Sequence, residues 1–139
     1  MKKECVLVSG GAGYIGSHTA VELINAGYDV VIADNFSNSD IHAVEGVRKI
    51  TGVDVPCVEV DCCDMEAFRS KVFEKYEFNS VIHFAASKAV GESVEKPLKY
   101  YRNNLTSFMN VIELMRDFKR PNIVFSSSCT VYGEPEKQP

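Results

Sequence analysis

Apolar residues along the chain follow two alternating rhythms. Short runs rich in Val and Ile, at Cys5–Val8, Tyr28–Ala33, Val55–Val60, Ser80–Ala85 and Asn122–Ser128, are too short for helices and read as buried strands. Between them the apolar positions recur every three or four residues. One such stretch runs from Tyr14 to Ala26 and stops before Gly27; a second runs from Asp40 to Thr51, with Ile41, Val44, Val47 and Ile50 repeating and Gly52 as terminator. A third, capped by Asp64, carries Phe68, Val72 and Tyr76 on one face. The longest enters at Pro97 and places Leu98, Tyr101, Leu105, Phe108, Ile112 and Met115 at steps of three and four, which predicts a core-facing stripe. Strand–helix alternation throughout, without repeat or linker, predicts an α/β fold with a parallel sheet. Pro56 is tolerable near a strand start or at a sheet edge.

The first turn changes this from a fold into a candidate site. Ser9-Gly10-Gly11-Ala12-Gly13-Tyr14-Ile15-Gly16 follows a strand and opens a helix, the context in which a glycine motif binds a dinucleotide. Gly11, Gly13 and Gly16 fit G-x-G-x-x-G, and Gly10, Gly13 and Gly16 fit a wider G-x-x-G-x-x-G. In either register one glycine makes the turn, one admits a pyrophosphate and one lets the helix pack closely, while the helix N-terminus offers free N–H groups. Asp34 ends the second strand 18 residues after Gly16, near the ~20 expected of an acid that holds the adenosine ribose. No Arg or Lys follows before Arg48, which favours NAD over NADP. These features predict a Rossmann-type doubly wound sheet in the order 3-2-1-4-5, an NAD-binding domain occupying residues 1–139. Ligands then lie where the order reverses, and Gly10–Gly16, Asp34–Ser39, Asp61-Cys62, Phe84–Lys88 and Ser126–Thr130 all fall at strand carboxyl ends.

Composition narrows the classes. The 139 residues suit one domain, and 45% hydrophobic content supports a core. The net charge of −4 without a basic run argues against nucleic acid. No apolar stretch approaches ~18 residues, so no membrane span is expected. Met1-Lys2-Lys3-Glu4 leads straight into a strand, which gives no sign of a signal peptide and points to the cytoplasm. Five cysteines, an odd number without a C-x-x-C pair, are expected to be reduced, and no metal site is expected.

Gly10–His18, Asp34-Asn35, His83-Phe84-Ala85, Lys88-Ala89-Val90-Gly91-Glu92-Ser93 and Ser126-Ser127-Ser128-Cys129-Thr130-Val131-Tyr132-Gly133 together resemble the UDP-glucose 4-epimerase family of extended short-chain dehydrogenases/reductases. Related nucleotide-sugar dehydratases carry Thr-Asp-Glu where this chain has Ser128-Cys129-Thr130. The resemblance implies that Gly10, Gly13, Tyr14, Ile15 and Gly16 line the pyrophosphate turn, and that Asp34, Asn35, Asn38 and Ser39 hold the adenosine ribose. It places Asp61 and Cys62 at the adenine. Phe84, Ala85, Lys88, Asn103 and Ser126 would run along NAD, Lys88 reaching the nicotinamide ribose and the substrate. Ser128 would act catalytically on the sugar 4-hydroxyl, with Thr130 close by. The implied reaction removes a hydride from C4 of a UDP-hexose to NAD and returns it on the other face, in galactose metabolism.

The base of that family is the Tyr of a Tyr-x-x-x-Lys motif, which occurs nowhere in this sequence: Tyr132 is followed by Glu136 and Tyr14 by His18. The remaining strands and the substrate domain are missing too, so the chain is expected to be the N-terminal part of such an enzyme and inactive alone. Its fifth strand should be an open apolar edge that invites self-association. A homodimer is the family-level expectation, with the helix around Tyr101–Met115 contributing. A free-standing NAD-binding module or pseudoenzyme, and another nucleotide-sugar epimerase, are the alternatives. His83 reads as a satisfied core histidine, His18 as surface or packing, Tyr132 as packing, and Cys129, without a base-like His beside it, as no nucleophile.

Overall fold

The computed structural model describes residues 3–133, except for the side chains of Cys129 and Thr130. Five parallel strands, β1 (Cys5–Ser9), β2 (Asp29–Asp34), β3 (Cys57–Glu59), β4 (Ser80–His83) and β5 (Asn122–Phe125), form one sheet in the order β3-β2-β1-β4-β5. This is the doubly wound order read from the sequence, with its reversal between β1 and β4. The helices are α1 (Tyr14–Asn25), α2 (Ile41–Thr51), α3 (Met65–Phe68), α4 (Val90–Glu95) and α5 (Pro97–Asp117). A 3₁₀ turn spans Cys129–Tyr132.

Alternation along the strands builds two cores. Val6, Val8, Val30 and Ile32 face α1 and α2, and pack with Ala20, Val44 and Val47. Leu7, Val31 and Val81 face the other way and pack with Phe68, Val72, Phe73, Val111 and Leu114. Being covered on both faces explains the unbroken Val/Ile runs. The strands are shorter than the runs. Pro56 has no N–H to give, so β3 begins at Cys57 and Pro56 joins the ladder only as an acceptor, from the Ile32 N–H at 2.9 Å. β4 ends at His83, short of the expected Ala85, and β5 ends at Phe125, short of Ser128. Among the described residues β5 is one of the sheet's two edges, β3 being the other, and carries Val124 60% and Phe125 52% exposed.

Helix ends follow local chemistry. The Asp64 carboxylate caps α3 by accepting from the Ala67 N–H at 3.0 Å, and Asp40 caps α2 by accepting from the His42 N–H. Gly52 closes α2 in the left-handed conformation, φ 69°. A π turn, Arg69–Phe73, continues α3 and turns both Val72 and Phe73 into the core, leaving Tyr76 half-buried.

Two apolar stripes do not bury as the spacing predicts. In α2, Val44 and Val47 are buried while Ile41 and Ile50 are exposed; steps of three drift by roughly 60° per repeat round a helix of 3.6 residues per turn. In α5 the correction is larger. Leu98, Tyr101, Leu105 and Ile112 point outward, Leu98 at 66% and Tyr101 at 63% exposure, Phe108 is half-buried, and only Met115 of the expected stripe is buried. The inward face is Tyr100, Ser107, Asn110, Val111 and Leu114, roughly a third of a turn away.

Candidate functional site

The glycine turn joins the end of β1 to the start of α1 and resolves the register. Gly10 has φ 75°, and a Cβ on it would lie 2.6 Å from the Ala85 nitrogen; it makes the turn and touches β4's continuation. A Cβ at Gly16 would lie 2.3 Å from the Gly10 carbonyl oxygen, so this glycine lets α1 close on the turn. Gly13 meets only that same oxygen, at 3.3 Å, and its outward side is free. Gly10 thus makes the turn and Gly16 the close packing, which leaves Gly13 as the open glycine of the three. Gly11 serves packing, its Cβ position being 2.8 Å from the Ile32 side chain. The first turn of α1 carries no acid, so its free N–H groups and positive dipole end are available to an anion. Tyr14 and Ile15 stand exposed beside them.

Asp34 is 8% exposed and already engaged. Its Oδ2 accepts from the Ala12 N–H at 2.9 Å; its Oδ1 accepts from the Phe36 N–H at 3.0 Å and the Ser39 hydroxyl at 2.8 Å. The carboxylate therefore fastens the glycine turn to the loop after β2, with about one of its four lone-pair positions left over. Asn35 donates to Asp61 at 3.3 Å and its Oδ1 accepts from the Ser37 N–H, while Asn38 is exposed. Two hollows open here. One of about 490 Å³ is lined by Asn35, Glu59, Val60, Asp61, Asp64 and neighbouring residues of the α3 region. The other, about 360 Å³, is lined by Phe36, Ser39, Asp40, Ile41 and Glu59. Phe36, held at φ 53°, and Glu59 were not among the residues expected from sequence. Nothing in the pattern marks either one.

Cys62 turns into the core, where burial pushes its thiol far up and keeps it protonated. Burial, reinforced by Asp34 at Cys57 and by Asp61 at Cys63, raises both of these thiols to about 11. Asp61 is exposed and accepts from the Cys63 N–H.

The loop after β4 carries Phe84 and Ala85, both half-buried, and Lys88, which is exposed. Its shape is set from α5. Asn104 accepts from the Ser87 N–H at 2.8 Å and donates to the Ser87 carbonyl at 3.0 Å; the Ser107 hydroxyl reaches the Ala85 carbonyl at 3.4 Å. Asn110 donates to the Cys62 and Cys63 carbonyls at 2.9 and 3.0 Å, and Asn103 accepts from the Cys63 thiol. Sequence reasoning singled out Asn103 alone. Asn104, Ser107 and Asn110 hold two of the expected ligand loops, and the available signal was a polar row at helical spacing. Ser126 and Ser128 stand exposed past β5, the Ser128 carbonyl accepting from the Val131 N–H. The side chain of Thr130, expected near the substrate, lies outside the described residues. Tyr132 is exposed, as is His18, whose ring bonds the Tyr14 carbonyl. The glycine turn, Asp34, Asp61, Phe84–Lys88 and Ser126 therefore share one end of the sheet.

Residues 7–139 match the protein family described as GDP-mannose 4,6 dehydratase. The chain belongs to that family. Proteins similar to it in sequence carry another activity in their names. UDP-glucose 4-epimerase of Bacillus subtilis is 56% identical over 134 residues, covering 96% of this chain and 39% of that protein. The human UDP-glucose 4-epimerase is 51% identical over 142 residues, covering 98% and 40%. The UDP-glucose 4-epimerase of Bifidobacterium longum, solved with NAD+ and UDP, superposes with a TM-score of 0.91 at 47% identity, covering 97% of this chain and 40% of that one. The chain spans about two fifths of the length of the curated relatives it matches.

Proposed function

We propose that this chain is the NAD-binding part of a UDP-glucose 4-epimerase acting on UDP-hexoses in galactose metabolism. The observation that carries the reading is the free outward side of Gly13 at the N-terminus of a helix with no acid in its first turn, a cradle that any Cβ would begin to fill. The pyrophosphate would rest there, with Tyr14 and Ile15 alongside. Asp34, Asn35, Asn38 and Ser39 would take the adenosine ribose, the Ser39 hydroxyl exchanging its bond to Asp34 for one to the sugar. Asp61 would accept from the adenine amino group, and the Cys62 backbone would lie beside the ring. Phe84, Ala85, Asn103 and Ser126 would line the nicotinamide side, with Lys88 on its ribose. When bound, NAD supplies the hydride acceptor for sugar C4. Ser128 would hydrogen-bond the sugar 4-hydroxyl, with Thr130 near the substrate. The Tyr-x-x-x-Lys pair that would complete proton transfer is not among these residues, and general acid–base assistance alone is worth about 10²–10⁴ in rate. The 139-residue chain is therefore inactive by itself under this reading. A homodimer of the complete protein is supported by the outward apolar row Leu98, Tyr101, Leu105, Met109 and Ile112 of α5.

The test is a fluorescence titration of the chain with NADH and NADPH. NADH is expected to bind at least about tenfold more tightly, the 2′-phosphate being repelled by Asp34, and Asp34→Asn, which keeps an oxygen acceptor for the loop but not the charge, to narrow the preference. Equal affinity for the two, or no binding of either, would refute the assignment.

A further inference from the structure

The last rung of the sheet on the α5 side is polar where the rungs behind it are aliphatic. Leu7, Val31 and Val81 are followed two residues on by Ser9, Ala33 and His83, in register with one another and with Phe125. Ser9 is fully buried and His83 is 2% exposed. The Ser9 hydroxyl and the His83 Nδ1 are 2.7 Å apart. The ring packs against Phe108 of α5, centroids 5.8 Å apart, and stacks at 16° on Phe125. Burial lowers His83 to about 4, so the ring is neutral around pH 7 and the bond joins two uncharged groups.

Each member of this rung stands one residue behind a proposed ligand contact: Ala33 behind Asp34, Ser9 behind Gly10, His83 behind Phe84, Phe125 behind Ser126. Gly10 and the Phe84-Ala85 backbone are in contact, and the Phe84 N–H donates to the Ser9 carbonyl at 2.8 Å. Aliphatic side chains at these positions would fill the space without fixing a distance, because burial is non-directional. A hydrogen bond sets both distance and angle.

We propose that Ser9 and His83 are a positioning couple whose hydrogen bond fixes the glycine turn against the Phe84–Lys88 strand end in the relation that a bound dinucleotide requires. The proposal rests on the NAD reading above. Ser9→Thr keeps the hydroxyl, Ser9→Val has the same shape without it, and Ser9→Ala controls for the added methyls. Each is made in the full chain and followed by NADH titration, thermal midpoint and amide exchange without cofactor. The expected result is that Ser9→Thr binds NADH within about twofold of the original chain, while Ser9→Val and Ser9→Ala bind about tenfold more weakly, the factor one net hydrogen bond carries. Exchange in the latter two rises at Gly10 and Phe84 and stays unchanged at Leu7 and Val31. A merely structural role would instead raise exchange at all four and lower the thermal midpoint in step with affinity; that outcome overturns the proposal, as does a Val variant that binds like the Thr variant. Should the unmutated chain bind no NADH, the NAD reading fails and exchange alone decides the couple: a rise confined to Gly10 and Phe84 and rescued by Thr upholds it, and any other pattern overturns it.

Discussion

Helices α2 and α5 are both amphipathic, yet they meet the sheet with opposite chemistry. α2 lays Val44 and Val47 on the aliphatic face of β1 and β2. α5 keeps Leu98, Tyr101, Leu105 and Met109 outside and buries Ser107 and Asn110 along with Val111 and Leu114. The difference lies in what each helix covers. α2 packs where strands are paired and their backbone groups satisfied. α5 also passes over the strand ends, where the carbonyls of Cys62, Cys63, Ala85 and Ser87 have left the ladder and take Asn and Ser donors instead. An apolar stripe therefore announces a helix, but the unmet backbone groups opposite it choose the face.

The comparison is tested most strongly by two leucines of α5. Leu114 is fully buried in the core and Leu105 is on the outward stripe. Leu114→Ala is expected to cost about 3 kcal/mol in urea unfolding, and Leu105→Ala to stay within about 0.5 kcal/mol in the monomeric chain. Similar losses at both positions would mean that the outward face is covered in solution.

How far the sequence could be read follows the same division. The strand order, the glycine turn and Asp34 were legible because they depend on local spacing and on residue types with one dominant use. Gly11, Gly13 and Gly16 could not be told from Gly10, Gly13 and Gly16 by spacing; the choice depends on what surrounds each Cα. Asn104 and Asn110 were missed because they bond main-chain N–H and carbonyl groups, which nearly every residue has and no pattern marks. The inward turn of Cys62 was hidden for a related reason: a residue just past a strand has no periodicity to assign its face. His83 was legible as a satisfied core histidine, but Ser9 as its partner needed the register of β1 on β4.

Acid should separate the two sides of the sheet. Among the described residues the one buried histidine, His83, lies on the α5 side and is covered through Phe108, whereas the ionisable group buried on the α2 side is the Asp34 carboxylate. His83 sits at about 4 because burial disfavours its charged form, whereas the unfolded chain takes up the proton near the ordinary 6.5. Between these values the unfolded state binds more protons, so stability is complete above about pH 6.5 and falls as pH drops toward 4, by up to about 3 kcal/mol. Thermal melts from pH 7 to 4.5 should show this loss. His83→Asn, which cannot titrate, should flatten the curve over that window; an unchanged slope would assign the loss to other groups.

Asn110 gives a smaller effect confined to the α5 side. It is 8% exposed and serves two carbonyls at once. Asn110→Ala leaves both without that donor and is expected to cost about 2 kcal/mol, with amide exchange rising in the Asp61–Cys63 loop. Asn110→Leu, which restores the volume but not the donor, should recover little of it. Full recovery would show that α5 binds the loop by filling space, as α2 does.

The smallest effect belongs to α2 and has the opposite sign. Gly46 lies within the helix, and a Cβ there would meet nothing within 4 Å. Gly46→Ala should therefore stabilise the chain by about 0.5–1 kcal/mol, since the only change is a less flexible unfolded state and a better helix former. The same substitution at Gly16 puts a methyl 2.3 Å from the Gly10 carbonyl and should break the turn. If Gly46→Ala were neutral or harmful, the exposed side of α2 would be in contact with something, and the picture of a helix held only by its inward valines would have to be given up.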